Sequence, residues 1–328
     1  MKMDLDTDMD VEVESPPLDE EEKAVGGRSD VERRMRERIE RTERRAAICD
    51  RIATVVIWGL ALFGLGILAF IIGTILVRGL TTALTPGFVF GKPEAIREGG
   101  GIWPMIVSSF YLALLTIAIA IPLGVGAAIY MAEFAREGWV TRVVRFGADS
   151  LSTVPSVVFG IFGMVLFVIY FGLGYSLLAG ALTLALLNLP MVMRTTEEAL
   201  KAVPCSYREA SMGLGATRWE TVKKVLLPSA MPGITTGAVL TIGRIVGESA
   251  AVIYTVGIFI RKVPTSPLSP AAPMAANIWH TYTEGALVSD WMRVANGEAA
   301  FLLLVVLVLN LLARLAANRF QKRLGAVK

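Results

Sequence analysis

The chain has 328 residues, of which 54% are hydrophobic, and its formal net charge is only +3. A soluble domain does not need so apolar a composition, because polar residues must cover its core, so a soluble class is excluded. One histidine, two cysteines and the lack of any GxxxxGK[ST] phosphate loop argue against most metal sites, catalytic triads and ATP hydrolysis by this chain. We therefore expect no catalytic residue, no metal ligand and no cofactor bound by this chain itself.

The first fifty residues form a charged arm. They begin acidic, from Asp4 to Glu22, and become a dense mixture of Arg and Glu from Glu32 to Arg45. This segment has too little apolar surface to fold alone, and it lacks the apolar stretch and cleavage site of a signal peptide. We predict a largely disordered cytoplasmic tail over residues 1–50, with a solvated charged helix in its second part.

Six apolar segments follow, each long enough to cross ~30 Å of hydrocarbon. They predict an all-α integral membrane fold with six transmembrane helices within residues 51–328. The segments lie at about 54–77, 104–131, 150–171, 175–193, 231–257 and 299–317. Lys and Arg resist translocation, and 22 of them flank one side of these spans against 6 on the other. Both termini are therefore predicted to be cytoplasmic.

Proline and glycine positions add two expectations about the spans. Pro122, Pro155 and Pro190 lie inside predicted spans, where proline kinks a helix; the kinks suit a bundle that rearranges, or are simply tolerated by tight packing. Small residues four positions apart predict a close helix contact of the fifth span. These pairs are Gly233 with Gly237 and Gly243 with Gly247.

The connection between the fourth and fifth spans, from Pro204 to Pro228, predicts two short helices around a corner. Two capping boxes mark the helix starts, Ser206 with Glu209 and Thr217 with Glu220. Gly215 stands where a left-handed residue would end the first helix, and Pro228 is expected to stop the second. A chain that only reconnects two spans does not need this much structure, so we expect another protein to dock here.

Two charges lie within the predicted fifth span. Arg244 and Glu248 are four residues apart, and each charge at the middle of a bilayer costs about 2.5 to 3.5 kcal/mol, so both must face protein or water. Arg244 is suited to bind a bulky anion, and Arg194 at the end of the fourth span adds a second positive point. The alternative is a structural ion pair between Arg244 and Glu248, and such a pair is also compatible with a gate that an anion opens.

The loop resembles the EAA motif of ABC importer permeases. The matching pattern is Glu209-Ala210-Ser211, three residues, Gly215, nine residues, Val225, one residue, Leu227-Pro228. Ser211 replaces Ala and Val225 replaces Ile. The resemblance implies that residues 195–228 form the coupling loop, which inserts into a groove of the ATPase subunit, with Glu209 and Gly215 central. The alternative is a plain connector in which Glu209 caps its own helix and Gly215 turns the chain.

A wider resemblance extends from about Gly99 to Phe320. Over this range the chain resembles the A-type permease subunit of phosphate importers, in the binding-protein-dependent, MetI-like type I ABC permease family. The stretches that carry this similarity are 99–106, 120–133, 151–160, 189–198 and 247–251. Residues 249–251 read Ser-Ala-Ala where Thr-Ala-Pro is usual, and the long charged N-terminus is not a family feature.

The resemblance implies a type I permease core over about 104–317 in the inner (cytoplasmic) membrane. It implies a second homologous permease, two ATPase subunits that use ATP and Mg, and an extracytoplasmic phosphate-binding protein, with membrane lipid around it and no nucleic acid. The expected cargo is inorganic phosphate, with sulfate, molybdate or another oxyanion as the alternative. An intramembrane enzyme or a free-standing channel is disfavoured, because no catalytic constellation is present and a channel does not need such a loop.

Overall fold

The computed structural model describes residues 18–93, 100–136, 138–258, 262–285 and 290–323, with side chains from residue 49 onward apart from 313 and 316–323. The regular structure within these ranges is entirely helical, which confirms the all-α prediction. The helices are α1 (Leu18–Ala83), α2 (Pro86–Val89), α3 (Trp103–Ile129), α4 (Trp139–Thr153), α5 (Ser156–Gly163), α6 (Leu177–Lys201), α7 (Cys205–Gly213), α8 (Arg218–Thr221), α9 (Leu227–Gly247), α10 (Ala250–Ile253), α11 (Met274–Glu284) and α12 (Trp291–Arg323). Three π-helical segments extend them, Tyr130–Phe134 after α3, Met164–Tyr170 after α5 and Val222–Leu226 after α8.

Five helical segments in the described residues are long and apolar enough to cross a membrane, and a bent pair makes a sixth if it counts as one span. That pair is α4 with α5, which meet at 104°. The predicted third span over 150–171 is therefore broken, and Pro155 lies between two helices rather than inside one. The cause is local: the residue before a proline avoids the helical region, and Val154 is extended with ψ 132°.

The predicted fifth span over 231–257 ends earlier than expected. Helix α9 ends at Gly247, and Glu248 adopts an extended backbone with ψ 125°. Its carboxylate Oε1 accepts a hydrogen bond from the Ala251 amide at 3.4 Å, so it satisfies an amide at the start of the short helix α10. By contrast, Pro122 and Pro190 lie inside α3 and α6 as predicted.

The chain divides into two compact units, Met1–Ile71 and Ile72–Lys328, and α1 contributes residues to both. In the first unit, the helix predicted over Glu32–Arg45 is part of α1, while residues 1–17 of the acidic arm lie outside the described residues. The apolar side chains from Ile52 to Ile71 are exposed. An apolar helix surface of this length is typical of a segment that faces lipid or another membrane chain.

The second unit holds two hydrophobic cores. The larger one is formed mainly by α3, α5, α6, α9, α10 and α11 and includes Leu184 and Val252, which are fully buried. The smaller one, here called the loop core, lies beneath α7 and α8. It consists of Leu200, Val203, Val222, Leu226, Ala230 and Ile234. This second core stabilises the fold of the connection between α6 and α9.

Glycines allow α9 to approach α6 closely, as their spacing predicts. A Cβ atom at Gly233 would lie 2.6 Å from the Cβ of Ala199, and one at Gly237 would overlap Thr195. At Gly243 the nearest neighbour would be Asn310 of α12, at 3.2 Å. No atom of the described residues lies within 4 Å of a Cβ placed at Gly247, so the expected close contact is not found at that position.

Candidate functional site

The connection between α6 and α9 has the predicted helix, corner, helix design. Helix α7 is followed by Gly215 with φ +88°, a conformation that glycine adopts without strain, and then by α8. The capping box of Thr217 with Glu220 is confirmed in both directions. The box predicted for Ser206 with Glu209 is wrong, because Pro204 is the N-cap of α7 and Ser206 already lies within its first turn.

Pro228 does not stop the second helix. Helix α8 runs through the π-helical segment Val222–Leu226 into α9, and Arg218–Gly247 forms one continuous helical stretch of 30 residues. Pro228 lies at the start of α9, directly after the π-helical segment Val222–Leu226, and the helix continues through it. The loop therefore continues directly into the fifth span.

The outer surface of α7 combines a free carboxylate with apolar side chains. Glu209 is exposed, and within the described residues it has no hydrogen-bond or ion-pair partner. Tyr207 and Met212 are also exposed, and Leu214 is 90% exposed beside the Gly215 corner. An exposed apolar patch around a charge is typical of a protein interaction surface.

The other residues of the EAA pattern occupy two settings. Ala210 is exposed on α7, whereas Ser211 is half-buried and its hydroxyl lies 2.9 Å from the hydroxyl of Thr221. The remaining three are half-buried in the continuous helix that leads into α9; they are Val225, Leu227 and Pro228. The first limb of the loop, α7, is thus exposed, whereas the second limb, α8 with the helical segment that leads into α9, is partly buried.

An ion pair that sequence reasoning missed fixes α7 to α3. The Arg208 Nε donates to both carboxylate oxygens of Glu133 at 3.1 Å, and Nη2 donates to Oε1 at 2.5 Å. Nη2 also donates to the carbonyl oxygen of Leu200 at 3.2 Å. The hydrogen bonds that Arg208 donates to Glu133 raise the pKa of the Arg208 guanidinium above its ordinary value. The available signal was an arginine beside the EAA glutamate and a lone carboxylate at the end of an apolar span.

Arg194 lies in a cluster of paired charges near the end of α6. Its guanidinium contacts Asp149 of α4 and Glu198 of its own helix, both at 3.1 Å. Beside it, Glu197 pairs with Arg145 at 2.9 Å and with Lys201 at 2.7 Å. A cleft of about 200 Å³ is lined by these six side chains together with Ala148 and Met193. Three cations thus face three carboxylates, so the charge of Arg194 is locally compensated.

Arg244 has a different environment from Arg194. It lies in the last turn of α9, is exposed, and its Nη1 is 3.9 Å from the sulfur of Met191 on α6, one turn before Arg194. The predicted pair with Glu248 is wrong: no ion pair joins them in the described structure, because α9 ends at Gly247 and Glu248 turns toward Ala251. A gate made from that pair is therefore excluded in this conformation.

A buried carboxylate in α12 also escaped the sequence reasoning. Glu298 is 0% exposed, and its Oε2 accepts a hydrogen bond from the Asn277 side chain of α11 at 2.7 Å. Neither α11 nor this contact was predicted from the sequence. The prolines of segment 264–273, which directly precedes α11, favour an extended linker in this part of the chain. The contact joins α11 to α12 within the second unit.

Comparison with known proteins places these features in a family. The family described as "Binding-protein-dependent transport system inner membrane component" matches residues 120–326. A probable ABC transporter permease protein, YqgI, of Bacillus subtilis is 40% identical over 291 residues, covering 85% of this chain and 98% of the relative. The phosphate transport system permease protein PstA of Yersinia pestis is 35% identical over 265 residues, covering 81% of this chain and 88% of the relative.

One solved structure supports the same fold. A bacterial ABC transporter involved in the import of the acidic polysaccharide alginate has a TM-score of 0.51 at 18% identity, covering 66% of this chain and 78% of the other. At that identity the likeness concerns the fold alone. The family match extends over more than half of the chain and includes the whole EAA loop, α9 and α12. The chain therefore belongs to the binding-protein-dependent inner membrane components and is a multi-pass permease subunit of an ABC importer with the type I fold.

Proposed function

We propose that this chain is the permease subunit of an ATP-driven importer of inorganic phosphate. The observation that carries the cargo is the similarity over 81% of the chain to a permease of a phosphate transport system. The relative at 40% identity has a name that gives no cargo. Sulfate, molybdate or another oxyanion is the second candidate, because an arginine that binds phosphate can also bind other oxyanions.

The EAA loop is the proposed docking site for the ATPase. The exposed carboxylate of Glu209 and the apolar side chains of Met212 and Leu214 offer a compact surface, which the left-handed Gly215 turns away from α8. Apolar burial supplies most of the free energy of protein association, while the charge contributes specificity. ATP and Mg are used by the partner ATPase, and this chain transmits the resulting movement.

The proposed assembly has this chain and a second homologous permease in the cytoplasmic membrane, with two ATPase subunits on the loop side. An extracytoplasmic phosphate-binding protein delivers the anion on the opposite side. The excess of Lys and Arg around the termini and the EAA loop supports a cytoplasmic position for these parts. Surrounding lipid covers the apolar surfaces that no subunit covers.

Arg244 is the proposed anion-binding residue of the translocation path. Among the described residues no carboxylate neutralises it, so its donors are available to an oxyanion. Arg194 lies one helical turn beyond Met191, which Arg244 contacts, so it is the second arginine proposed for the path, although Asp149 and Glu198 offset its charge. Glu248, just beyond the end of α9, completes the proposed path at the other end.

Reconstitution of the whole importer in proteoliposomes tests this function. Uptake of radiolabelled phosphate is measured with ATP, without ATP, and with an excess of sulfate or molybdate. We expect uptake that requires ATP and the ATPase subunits and that resists both competitors. Equal competition by sulfate would assign the chain to the broader oxyanion class, and flux without any ATPase subunit would support a channel instead.

A further inference from the structure

Both limbs of the EAA loop are attached to the same π-helical segment at the end of α3. From α7, Arg208 forms its fork with Glu133, and from α8 the ring of Trp219 lies 6.4 Å from the ring of Phe134. Glu133 and Phe134 are the last two residues of the segment Tyr130–Phe134. π-Helical segments in helices are frequent at functional positions. Both limbs of the loop therefore contact the same helical turn at the end of α3.

The chain itself does not supply this link. The loop is covalently continuous with α6 on one side and with α9 on the other, so a displacement of the loop reaches these two helices through the backbone. Helix α3 is about 70 residues earlier in the sequence, and among the described residues side-chain contacts connect it to the loop. Arg208 and Glu133 are separated by 75 positions. Their ion pair is thus the polar part of the connection between the loop and α3.

The geometry of the pair suits transmission of force. Arg208 is 22% exposed and Glu133 is 10% exposed, so solvent screens the interaction less than on an open surface. A bidentate arrangement fixes direction as well as distance. The additional bond to the Leu200 carbonyl oxygen places the same guanidinium at the end of α6. One side chain therefore joins α7, α3 and α6.

The two limbs also behave as one body. The Ser211 and Thr221 hydroxyls are 2.9 Å apart, which links α7 to α8 across the Gly215 corner. Thr221 is buried, and the next residue, Val222, belongs to the loop core. A movement imposed on the exposed face of α7 is therefore shared by α8, and both limbs contact the end of α3 through Arg208 and Trp219.

We propose that Arg208 is a positioning residue for energy coupling, which transmits displacement of the EAA loop to α3 through Glu133. The inference rests on the proposed docking of the ATPase on this loop. Arg208 points inward, whereas the proposed docking residues Glu209 and Leu214 are exposed. Loss of the fork should therefore separate transport from ATP hydrolysis without releasing the ATPase.

The experiment uses the complete importer carrying Arg208→Gln in proteoliposomes. We expect phosphate taken up per ATP hydrolysed to fall about tenfold, in the range of ordinary coupling free energies, with ATPase retention and basal hydrolysis within about twofold of wild type. The charge-swapped pair Arg208→Glu with Glu133→Arg should recover much of the lost ratio. Arg142→Gln is the matched control, since it removes an exposed arginine of α4 that has no ion pair in the described structure.

Each outcome decides between the inference and the proposed function. If Arg208→Gln keeps the wild-type ratio while Gly215→Pro abolishes uptake, docking holds and the transmission role of Arg208 is overturned. If Arg208→Gln releases the ATPase, the residue shapes the docking face and the inference also fails. If neither Gly215→Pro nor Glu209→Lys affects ATPase retention or uptake, the proposed docking itself is wrong.

A folding defect is handled by the charge-swapped pair. If Arg208→Gln does not assemble, the swapped pair is measured in its place, because it retains the two charges. Assembly with recovered uptake per ATP supports the inference. Assembly without recovered coupling overturns it, and so does a failure to assemble, since a link that only the original orientation satisfies is a structural requirement rather than a transmission element.

Discussion

The EAA loop and the end of α9 are close in sequence, but their charged groups have opposite settings. In the loop, Arg208 is satisfied by Glu133 and by the Leu200 carbonyl oxygen, and a buried core supports the backbone. At the end of α9, Arg244 meets only a methionine sulfur in the described structure. A charge with partners holds a shape, whereas a charge without an acidic partner is available to a ligand. From this contrast we expect Arg208 to maintain the shape of the loop, and we expect Arg244 to be the residue that contacts the anion.

The largest expected effect is at Arg244. Arg244→Gln should lower phosphate uptake by about one to two orders of magnitude, because a charged hydrogen-bond donor set that faces the anion is worth about 1.5 to 3 kcal/mol. Uptake in proteoliposomes is the measurement, and copurification of all subunits is the control for assembly. Near-normal uptake would remove Arg244 from the anion path.

The next effect is at the Gly215 corner, where the chain offers a matched control. Gly215→Ala places a side chain at φ +88° and should cost about 1 to 2 kcal/mol of loop stability. Gly213→Ala, two residues earlier in α7, has equally open space and no positive φ, so it should be neutral or slightly stabilising. Retention of the ATPase subunits on the permease at increasing salt measures both variants. Equal losses in the two would show that volume matters there rather than backbone conformation.

A smaller effect is expected at the caps. Thr217→Ala removes the hydroxyl that accepts the Glu220 amide and should destabilise α8 by about 1 kcal/mol. Ser206→Ala should change the stability of α7 very little, since Ser206 is not a cap in the structure. Hydrogen exchange at the amides of α7 and α8 is the measurement. Faster exchange in α7 of the Ser206→Ala variant would indicate that Ser206 does cap α7, in contrast to the structure.

The contrast between the regions also explains what the sequence can predict. The Gly215 corner and the Thr217 cap were predictable, because the residues that determine them are neighbours in the chain. Five spans were predictable from apolar length alone. The end of α9 was not, because the pattern remains apolar past Gly247 while Glu248 satisfies an amide of the next helix.

Contacts between residues far apart in the chain could not be predicted for a different reason. Arg208 and Glu133 each look ordinary locally, and only the fold brings them together across 75 positions. Helix α4 was not predicted as a separate element because its sequence does not form one apolar run. Its charged side chains pair with α6, while its apolar side chains Trp139 and Phe146 are exposed. One sequence therefore predicts caps, turns and spans, but not which side chains meet across the bundle.

The smallest expected effect is at Arg194, which lies close to Arg244 along α6 but is bound by Asp149 and Glu198. Exposed ion pairs contribute about 0 to 1 kcal/mol, so Arg194→Gln should change the permease's stability little. Uptake should fall only about two- to threefold, because the two carboxylates already offset the charge that an anion would meet. The double variant Asp149→Asn with Glu198→Gln frees Arg194 and should make uptake more sensitive to Arg194→Gln. If the single Arg194→Gln variant loses as much uptake as Arg244→Gln, compensation by neighbouring carboxylates does not decide which arginine binds the anion, and both belong to one site.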